Sequence, residues 1–158
     1  EAGKPYATVP IGMMLEVPAA AVSIEAMLRH TDFVSVGSND LVQYLMAADR
    51  DNPKVSHLCQ PLAPPVLRLL NHVIKACRAR NKPLTVCGEM AADPASAAVL
   101  LGLGFTSFSV SLPAFHRIQK IIRSVSVQEL RSLARQLLTL QKTKDVEAQV
   151  RAAVGAAK

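Results

Sequence analysis

The chain has 158 residues, half of them apolar and 19% charged, with a formal net charge of +6. This composition excludes a disordered chain, which would be more polar and more highly charged, and the length suits one ordinary domain. Three cysteines without paired spacing argue against a secreted disulfide scaffold. No apolar run reaches the length of a membrane span. We therefore expect a cytoplasmic protein that does not enter the membrane.

Short aliphatic strands alternate with longer helical patterns along the chain. The predicted strands are 9–16, 33–37, 84–88 and 106–110. The predicted helices are 19–29, 41–48, 66–80, 93–101, 113–123, 126–138 and 143–154. The first strand is apolar nearly throughout, which is typical of a parallel strand covered on both faces. Residues 51–65 contain four prolines and are predicted to form a long loop.

The predicted order is a strand and a helix repeated four times, followed by further helices. This alternation favours parallel pairing with right-handed crossovers. Two architectures fit, a doubly wound sheet or part of a (β/α)₈ barrel. A whole barrel needs about 250 residues, so this chain could supply half of one. The first residue is Glu1 in place of Met, which agrees with a piece of a longer protein.

In both architectures the functional groups lie at the carboxyl ends of the strands. The first strand ends in Glu16, the second runs into Asn39 and Asp40, and the third ends in Cys87. We therefore expect two carboxylates, an amide and a thiol at one edge of the sheet.

Glu16 ends an apolar strand, where an unpaired carboxylate would be costly. Together with Asp40 on the neighbouring strand it could hold a Mg²⁺ ion, which takes carboxylates, waters and substrate oxygens. The alternative is a hydrogen-bonded carboxylate at a strand end.

The segment from Gly37 to Asp40 opens a helix, and the free backbone N–H groups of that helix could bind a phosphate. The alternative is an ordinary helix N-cap by Ser38 or Asn39. Arg50 follows the helix and could add a bidentate phosphate contact, or it could be a solvated loop residue.

Cys87 lies between an apolar strand and a glycine, at the edge where the functional groups are expected. A thiol there could donate or take a proton, or act as a nucleophile. The alternative is a buried structural cysteine. Cys77 lies on the apolar stripe of its helix and is predicted to be core, and the role of Cys59 is left open. No histidine falls at a strand end, so we assign none a catalytic role.

The basic excess lies in the second half of the chain, dispersed through helical patterns with few aromatic residues. This arrangement does not favour a nucleic-acid partner. Basic residues such as Arg117, Lys120 and Arg123 form either a solvated face or a surface for an acidic partner.

Four motifs carry a resemblance to a known family. They are Met14-Leu15-Glu16-x-Pro18, the stretch from Ser35 to Tyr44, Asp49-Arg50-x-Asn52, and the stretch from Val86 to Met90. In this order and spacing they resemble the C-terminal, phosphoenolpyruvate-binding domain of Enzyme I of the phosphotransferase system, sugar or nitrogen type. The resemblance covers about residues 8–140, and the wider superfamily includes pyruvate phosphate dikinase and phosphoenolpyruvate synthase.

The resemblance implies the fold and the roles of the site residues. Residues 1–140 would be the C-terminal half of a (β/α)₈ TIM barrel, and residues 141–158 a C-terminal helical tail that could fray. Glu16 and Asp40 would bind Mg²⁺, and Asn39, Asp40 and Arg50 would bind the substrate. Cys87 would be the acid that protonates the enolpyruvate carbon as pyruvate forms.

The resemblance also implies the activity and partners of the whole protein. It would be a homodimer that transfers phosphoryl from phosphoenolpyruvate to its own histidine and on to a phosphocarrier protein. That histidine belongs to a separate N-terminal domain, and further phosphate-binding arginines belong to earlier strands, so we expect the fragment alone to be inactive. Ser38 stands where the family has threonine, which keeps the hydroxyl. The alternatives are a non-catalytic dimerisation or phosphoenolpyruvate-binding module and a dikinase-type relative.

Overall fold

The computed structural model describes residue 3 and residues 7–155. The strands in this part of the chain are β1 (Gly12–Leu15), β2 (Phe33–Gly37), β3 (Leu84–Cys87) and β4 (Ser107–Phe108). The helices are α1 (Pro18–Val22), α2 (Ile24–Met27), α3 (Ser38–Met46), α4 (Pro64–Ala79), α5 (Glu89–Ala92), α6 (Pro94–Leu103), α7 (Leu112–Ser124), α8 (Val127–Leu137) and α9 (Thr143–Gly155). A short 3-10 helix (Ser56–Leu58) lies in the proline-rich loop.

The strands form one parallel sheet in the order β1-β2-β3-β4. Consecutive strands are neighbours because each is followed by at least one helix that returns the chain to the next strand. The α/β fold class with parallel strands is therefore confirmed, and the four strands do not close into a barrel.

The two faces of this sheet differ in burial. One face carries Val36 with its register partners Leu15 and Val86, and also Val34 two residues earlier on β2. All four are fully buried and belong to the main hydrophobic cluster together with helical residues. We call this the helix-covered face. The opposite face carries alternate residues of the same strands and is named the open face; its side chains include Met14, Phe33, Ser35, Thr85 and Cys87.

On the open face, Met14 and Phe33 keep 53% and 41% of their surface exposed. The prediction that the first strand is covered on both faces is therefore wrong for the described part of the chain. A doubly wound sheet carries helices on both faces, whereas the described helices lie on one face of this sheet, as in a barrel. The structure thus agrees with half of a barrel.

The first two helical segments differ from their predictions at their boundaries. The single helix predicted over 19–29 is broken at Ser23, which separates α1 from α2. The helix predicted over 41–48 begins three residues earlier, at Ser38, and Gly37 is its N-cap. The polar residues that follow β2 therefore form the first helical turn and do not precede it.

Around β3 and β4 the structure adds one helix and shortens one strand. The four-residue helix α5 directly follows β3 and was not predicted, while β4 is only two residues long. Gly104 ends α6 with φ +110°. The helix predicted over 93–101 therefore continues two residues further, and Gly102 lies inside it. A Cβ there would collide with the Leu130 carbonyl, so glycine allows α8 to pack closely on α6.

The C-terminal segment is part of the core as far as the structure describes it. Val146 and Val150 of α9 are fully buried and belong to the main hydrophobic cluster. The Arg68 guanidinium donates to the Leu140 carbonyl at 2.8 Å and ties α4 to the chain before α9. The domain boundary between residues 140 and 141 stays a prediction.

Among the described residues, no helix combines the length and apolar character that crossing a membrane requires.

Candidate functional site

The carboxyl ends of β1, β2 and β3 meet at one edge of the sheet, as expected for parallel strands. Gly37 pairs with Cys87 across β2 and β3, and Glu16 directly follows β1. A Cβ on Gly37 would lie 2.7 Å from Glu16 Oε2, so the carboxylate rests against the Gly37 backbone. The structure therefore brings Glu16 to the start of α3, as predicted.

The first turn of α3 has no side-chain cap, so the interpretation of Ser38 or Asn39 as an N-cap is wrong. Both side chains turn toward the loop after β3. Ser38 Oγ donates to the Cys87 carbonyl oxygen at 2.7 Å, and the Glu89 backbone N–H donates to Asn39 Oδ1 at 2.8 Å. The backbone N–H groups of this turn are thus free of side-chain caps, as an anion site requires.

Asp40 and Arg50 form an ion pair, with Asp40 Oδ1 and Arg50 Nη1 3.3 Å apart. The Arg50 backbone N–H also donates to Gln43 Oε1 at 3.4 Å. Both side chains of the pair are more than a third exposed, so water screens the attraction and the pair contributes little to stability. Its consequence is positional, because it holds a guanidinium beside the first turn of α3.

The Cys87 side chain is half-buried on the open face. Its Sγ donates to the Val36 carbonyl oxygen at 3.3 Å and accepts from Ser35 Oγ at 3.8 Å. Cys77, in contrast, is buried in the core as predicted, and burial raises the pKa of its thiol from 9.0 to about 11. The two cysteines therefore occupy different environments, and Cys87 is the one that reaches the edge with the polar groups.

A cleft of about 330 Å³ opens between the start of α3, the start of α5 and the proline-rich loop. Of the predicted site residues, Asn39 and Arg50 line it. Cys59 also lines this cleft, with its Sγ donating to the Ala48 carbonyl oxygen at 3.0 Å. The long loop therefore forms one wall of the site, in agreement with its length and proline content.

Sequence reasoning missed two contributors to this site. Glu89 lines the cleft and its N–H binds Asn39, while Ser38 binds the backbone of Cys87. The signal for Glu89 was its place directly after the strand-ending Cys87 and Gly88. For Ser38 the signal was a hydroxyl beside an amide at a strand end, which we interpreted as a cap.

The donor set can be compared with the needs of a metal ion. Within residues 7–155 no group of three or more histidine, cysteine, aspartate or glutamate side chains could hold an ion by itself. Mg²⁺ does not need such a group, since one or two carboxylates, waters and phosphate oxygens usually complete its shell. Glu16 and Asp40 supply oxygen ligands of this kind, so the chemistry of the edge fits Mg²⁺ bound together with a phosphate.

Comparison with known proteins places these residues in a family context. Residues 1–127 match the family described as PEP-utilising enzyme, PEP-binding domain. The chain is also similar to curated proteins named phosphoenolpyruvate-protein phosphotransferase, of which three serve as examples. Identity is 41% over 143 residues with that of Bacillus subtilis, covering 90% of this chain and 25% of the relative.

For the Mycoplasma genitalium protein identity is 42% over 130 residues, covering 82% of this chain and 23% of the relative. For the Geobacillus stearothermophilus protein identity is 46% over 119 residues, covering 73% of this chain and 21% of the relative. The chain thus spans about a quarter of the length of the curated relatives it matches. Because the family match covers most of the chain, this protein belongs to the family of phosphoenolpyruvate-utilising enzymes, through their phosphoenolpyruvate-binding domain.

Proposed function

We propose that this chain is the C-terminal half of the phosphoenolpyruvate-binding barrel of a phosphoenolpyruvate-protein phosphotransferase. The complete enzyme would move phosphoryl from phosphoenolpyruvate to its own histidine and then to a phosphocarrier protein. One observation carries the proposal: in a member of this family, Glu16, an uncapped helix start, Arg50 and Cys87 meet around one edge of a parallel sheet. The three relatives named above all bear this activity in their names, which favours it over a dikinase.

The substrate is an anion, and the first turn of α3 offers the groups that bind one. Backbone N–H groups at a helix N-terminus point outward and carry partial positive charge. Arg50, held at Asp40, adds a planar guanidinium that can bind phosphate with two hydrogen bonds. Asn39 lines the same cleft and adds amide N–H donors.

Glu16 and Asp40 are the residues that would hold Mg²⁺ at this edge. A bound Mg²⁺ ion would neutralise charge on the phosphate during transfer. Asp40 has a further effect that needs no ion, since its carboxylate fixes the Arg50 guanidinium near the helix start.

Cys87 is the acid in this proposal. As the phosphoryl group leaves for the histidine, the enolate of pyruvate remains and its methylene carbon needs a proton. The S–H bond of Cys87 breaks and a C–H bond forms, which yields pyruvate and leaves a thiolate on Sγ. In the reverse reaction the thiolate removes that proton.

The described half of the site is short of positive charge. Arg50 is the single cation among the described residues that line the cleft, where Asp51 and Glu89 also lie. A phosphate and a carboxylate on one substrate require more cations, which earlier strands of a barrel would provide. We therefore expect no turnover by the isolated 158 residues, and phosphoryl transfer by them to a carrier protein would contradict this.

The open face also supports the proposal that this chain is half of a barrel. Met14 and Phe33 are large and exposed there, while β1 and β4 each pair with one neighbour in the described structure. Leu112 and Phe115 of α7, the helix that follows β4 along the chain, are exposed as well. A second half-barrel would cover these surfaces and give both edge strands a partner.

The binding role is tested by titrating phosphoenolpyruvate, with Mg²⁺ present, into the full-length enzyme that carries this chain. We expect Asp40→Asn and Arg50→Ala to weaken binding by about tenfold or more. Arg50→Ala removes a cationic contact to the anion, whereas Asp40→Asn removes a Mg²⁺ ligand and the carboxylate that holds Arg50 in place. Ser96→Ala, in a buried residue of α6, is the matched control and should bind normally. Equal affinity in the wild type and all three variants would refute the assignment of Asp40 and Arg50 to phosphoenolpyruvate binding.

The acid role is tested by exchange of the pyruvate methyl protons with deuterium, followed by NMR. Cys87→Ala should retain phosphoenolpyruvate binding, because the thiol is not among the anion-binding groups. It should lose proton exchange, because no other group replaces the acid. Unchanged exchange in this variant would remove Cys87 from the mechanism.

A structural role in self-association is the second candidate, favoured by the face and the two sheet edges that the described residues leave uncovered. Two copies could bring eight parallel strands together, and the full-length protein would be a homodimer. Sedimentation at micromolar concentration should then show dimers of the 158-residue chain. Phe33→Asp, on the open face, should shift them to monomers. A wild-type chain that sediments as a monomer would contradict this role.

A further inference from the structure

Two polar side chains at the start of α3 hold the turn that follows β3. Ser38 Oγ donates to the carbonyl oxygen of Cys87 at 2.7 Å. The backbone N–H of Glu89 donates to Asn39 Oδ1 at 2.8 Å. These two hydrogen bonds lie on either side of Gly88, and we call the pair the clasp.

We propose that Ser38 is a positioning residue, which through the clasp fixes the Cys87 thiol relative to the anion-binding turn of α3. The proposal rests on the proposed function, in which Cys87 gives its proton to a substrate bound at that turn. Ser38 itself touches the backbone of Cys87 and acts through it.

The burial of Ser38 makes its hydrogen bond specific. Only 1% of this residue is exposed, and among the described polar residues just Ser96 is comparably buried. A buried hydroxyl without a partner costs free energy, so the Ser38 side chain is held to its acceptors. Of the two, the Cys87 carbonyl oxygen at 2.7 Å is much nearer than Asn39 Oδ1 at 3.5 Å, so the contact with Cys87 is the stronger one.

Gly88 shows that the turn is built around this contact. Its φ of +86° lies in the left-handed region that favours glycine. A Cβ at this position would collide with Ser38 Oγ and lie 2.7 Å from Asn39 Oδ1. Only the absence of a side chain lets the turn approach the start of α3 closely enough for both hydrogen bonds to form.

The clasp also orients the Asn39 amide. Because Oδ1 accepts from the Glu89 N–H, the two donors on Nδ2 are the groups of this amide left for a ligand. Asn39 lines the cleft, and an anion requires donors. One helical turn thus carries the anion-binding donors and also holds the backbone of the acid, so the two move together.

The experiment uses the full-length enzyme that carries this chain. It compares Ser38→Ala, Ser38→Thr, Cys87→Ala and the matched control Ser96→Ala, a serine that is 3% exposed on α6. The readouts are phosphoenolpyruvate affinity and exchange of the pyruvate methyl protons. Since a small misplacement of a reacting group is costly, Ser38→Ala should slow exchange by about tenfold or more while affinity changes by less than about threefold. Ser38→Thr restores the hydroxyl and should restore exchange.

The outcomes separate this inference from the proposed function. Normal exchange in Cys87→Ala refutes the acid role itself. Loss of exchange in Cys87→Ala, with Ser38→Ala equal to Ser96→Ala, refutes the clasp alone. Failure of Ser38→Thr to restore exchange refutes it as well. If Ser38→Ala does not fold, Ser38→Cys makes the same test with a weaker donor, and wild-type exchange in that variant overturns the proposal.

Discussion

The helix-covered face and the open face belong to the same four strands but bury different amounts of side chain. Leu15 and Val36 on the first are fully buried, whereas Met14 and Phe33 on the second remain about half exposed. Neighbouring residues of one strand therefore contribute very differently to stability. The helix-covered face therefore holds this chain together, while the open face and its edge carry the polar groups of the site.

The largest expected effect comes from adjacent residues on β1. Leu15→Ala removes a fully buried side chain from the helix-covered face and should lower the free energy of unfolding by about 2–5 kcal/mol. Met14→Ala, one residue away on the open face, should lower it by less than about 1 kcal/mol. Urea unfolding of the two variants measures both values. Equal losses would show that the open face is covered in solution, by a second copy or otherwise.

Substitutions at two glycines test the same difference between the helix side and the open edge of the sheet. Gly102→Ala places a methyl group against the Leu130 carbonyl on the helix side, and backbone atoms cannot yield easily. The overpacking should cost about 1–3 kcal/mol against a gain of about 1 kcal/mol in helix propensity, so we expect a net loss of up to about 2 kcal/mol. Thermal unfolding measures this loss.

Gly37→Ala is the matched change at the edge of the sheet. Its Cβ would lie 2.7 Å from Oε2 at the far end of the Glu16 side chain, which can move aside, and 3.1 Å from Glu16 Cβ, which must give way slightly. We expect a smaller loss of stability than in Gly102→Ala, together with a displaced Glu16 carboxylate. A larger loss in Gly37→Ala would contradict the assignment of stability to the helix side.

The sequence predicted the fold well where the pattern depends on local chemistry. Aliphatic strands with polar ends placed Glu16, Asn39 and Cys87 at one edge, and the stripe on α4 placed Cys77 in the core. The burial of one sheet face only was not predicted. An apolar strand has the same hydrophobic pattern whether its second face is covered by its own chain or by a segment outside the described residues.

The sequence predicted which residues lie at the site better than it predicted the contacts between them. Ser38 and Asn39 have the composition of an N-cap, and local propensity favours that interpretation. Tertiary contact overrides it, because the turn at Gly88 brings the Cys87 carbonyl and the Glu89 N–H within hydrogen-bonding distance. Such a contact joins residues about fifty positions apart, and no local pattern encodes it.

The smallest expected effect concerns Cys77, the thiol on the helix side. Burial raises its pKa from 9.0 to about 11, so the unfolded chain ionises it at a lower pH than the folded chain does. The free energy of unfolding should therefore be unaffected by this group below about pH 9 and should fall as the pH rises toward 11, by about 1 kcal/mol at pH 10. Urea unfolding at pH 8 and pH 10 measures the decrease. Cys77→Ala is the control, since it lowers stability at both pH values but removes this part of the pH dependence. An identical pH dependence in the variant and the wild type would show that the buried thiol does not control alkaline stability.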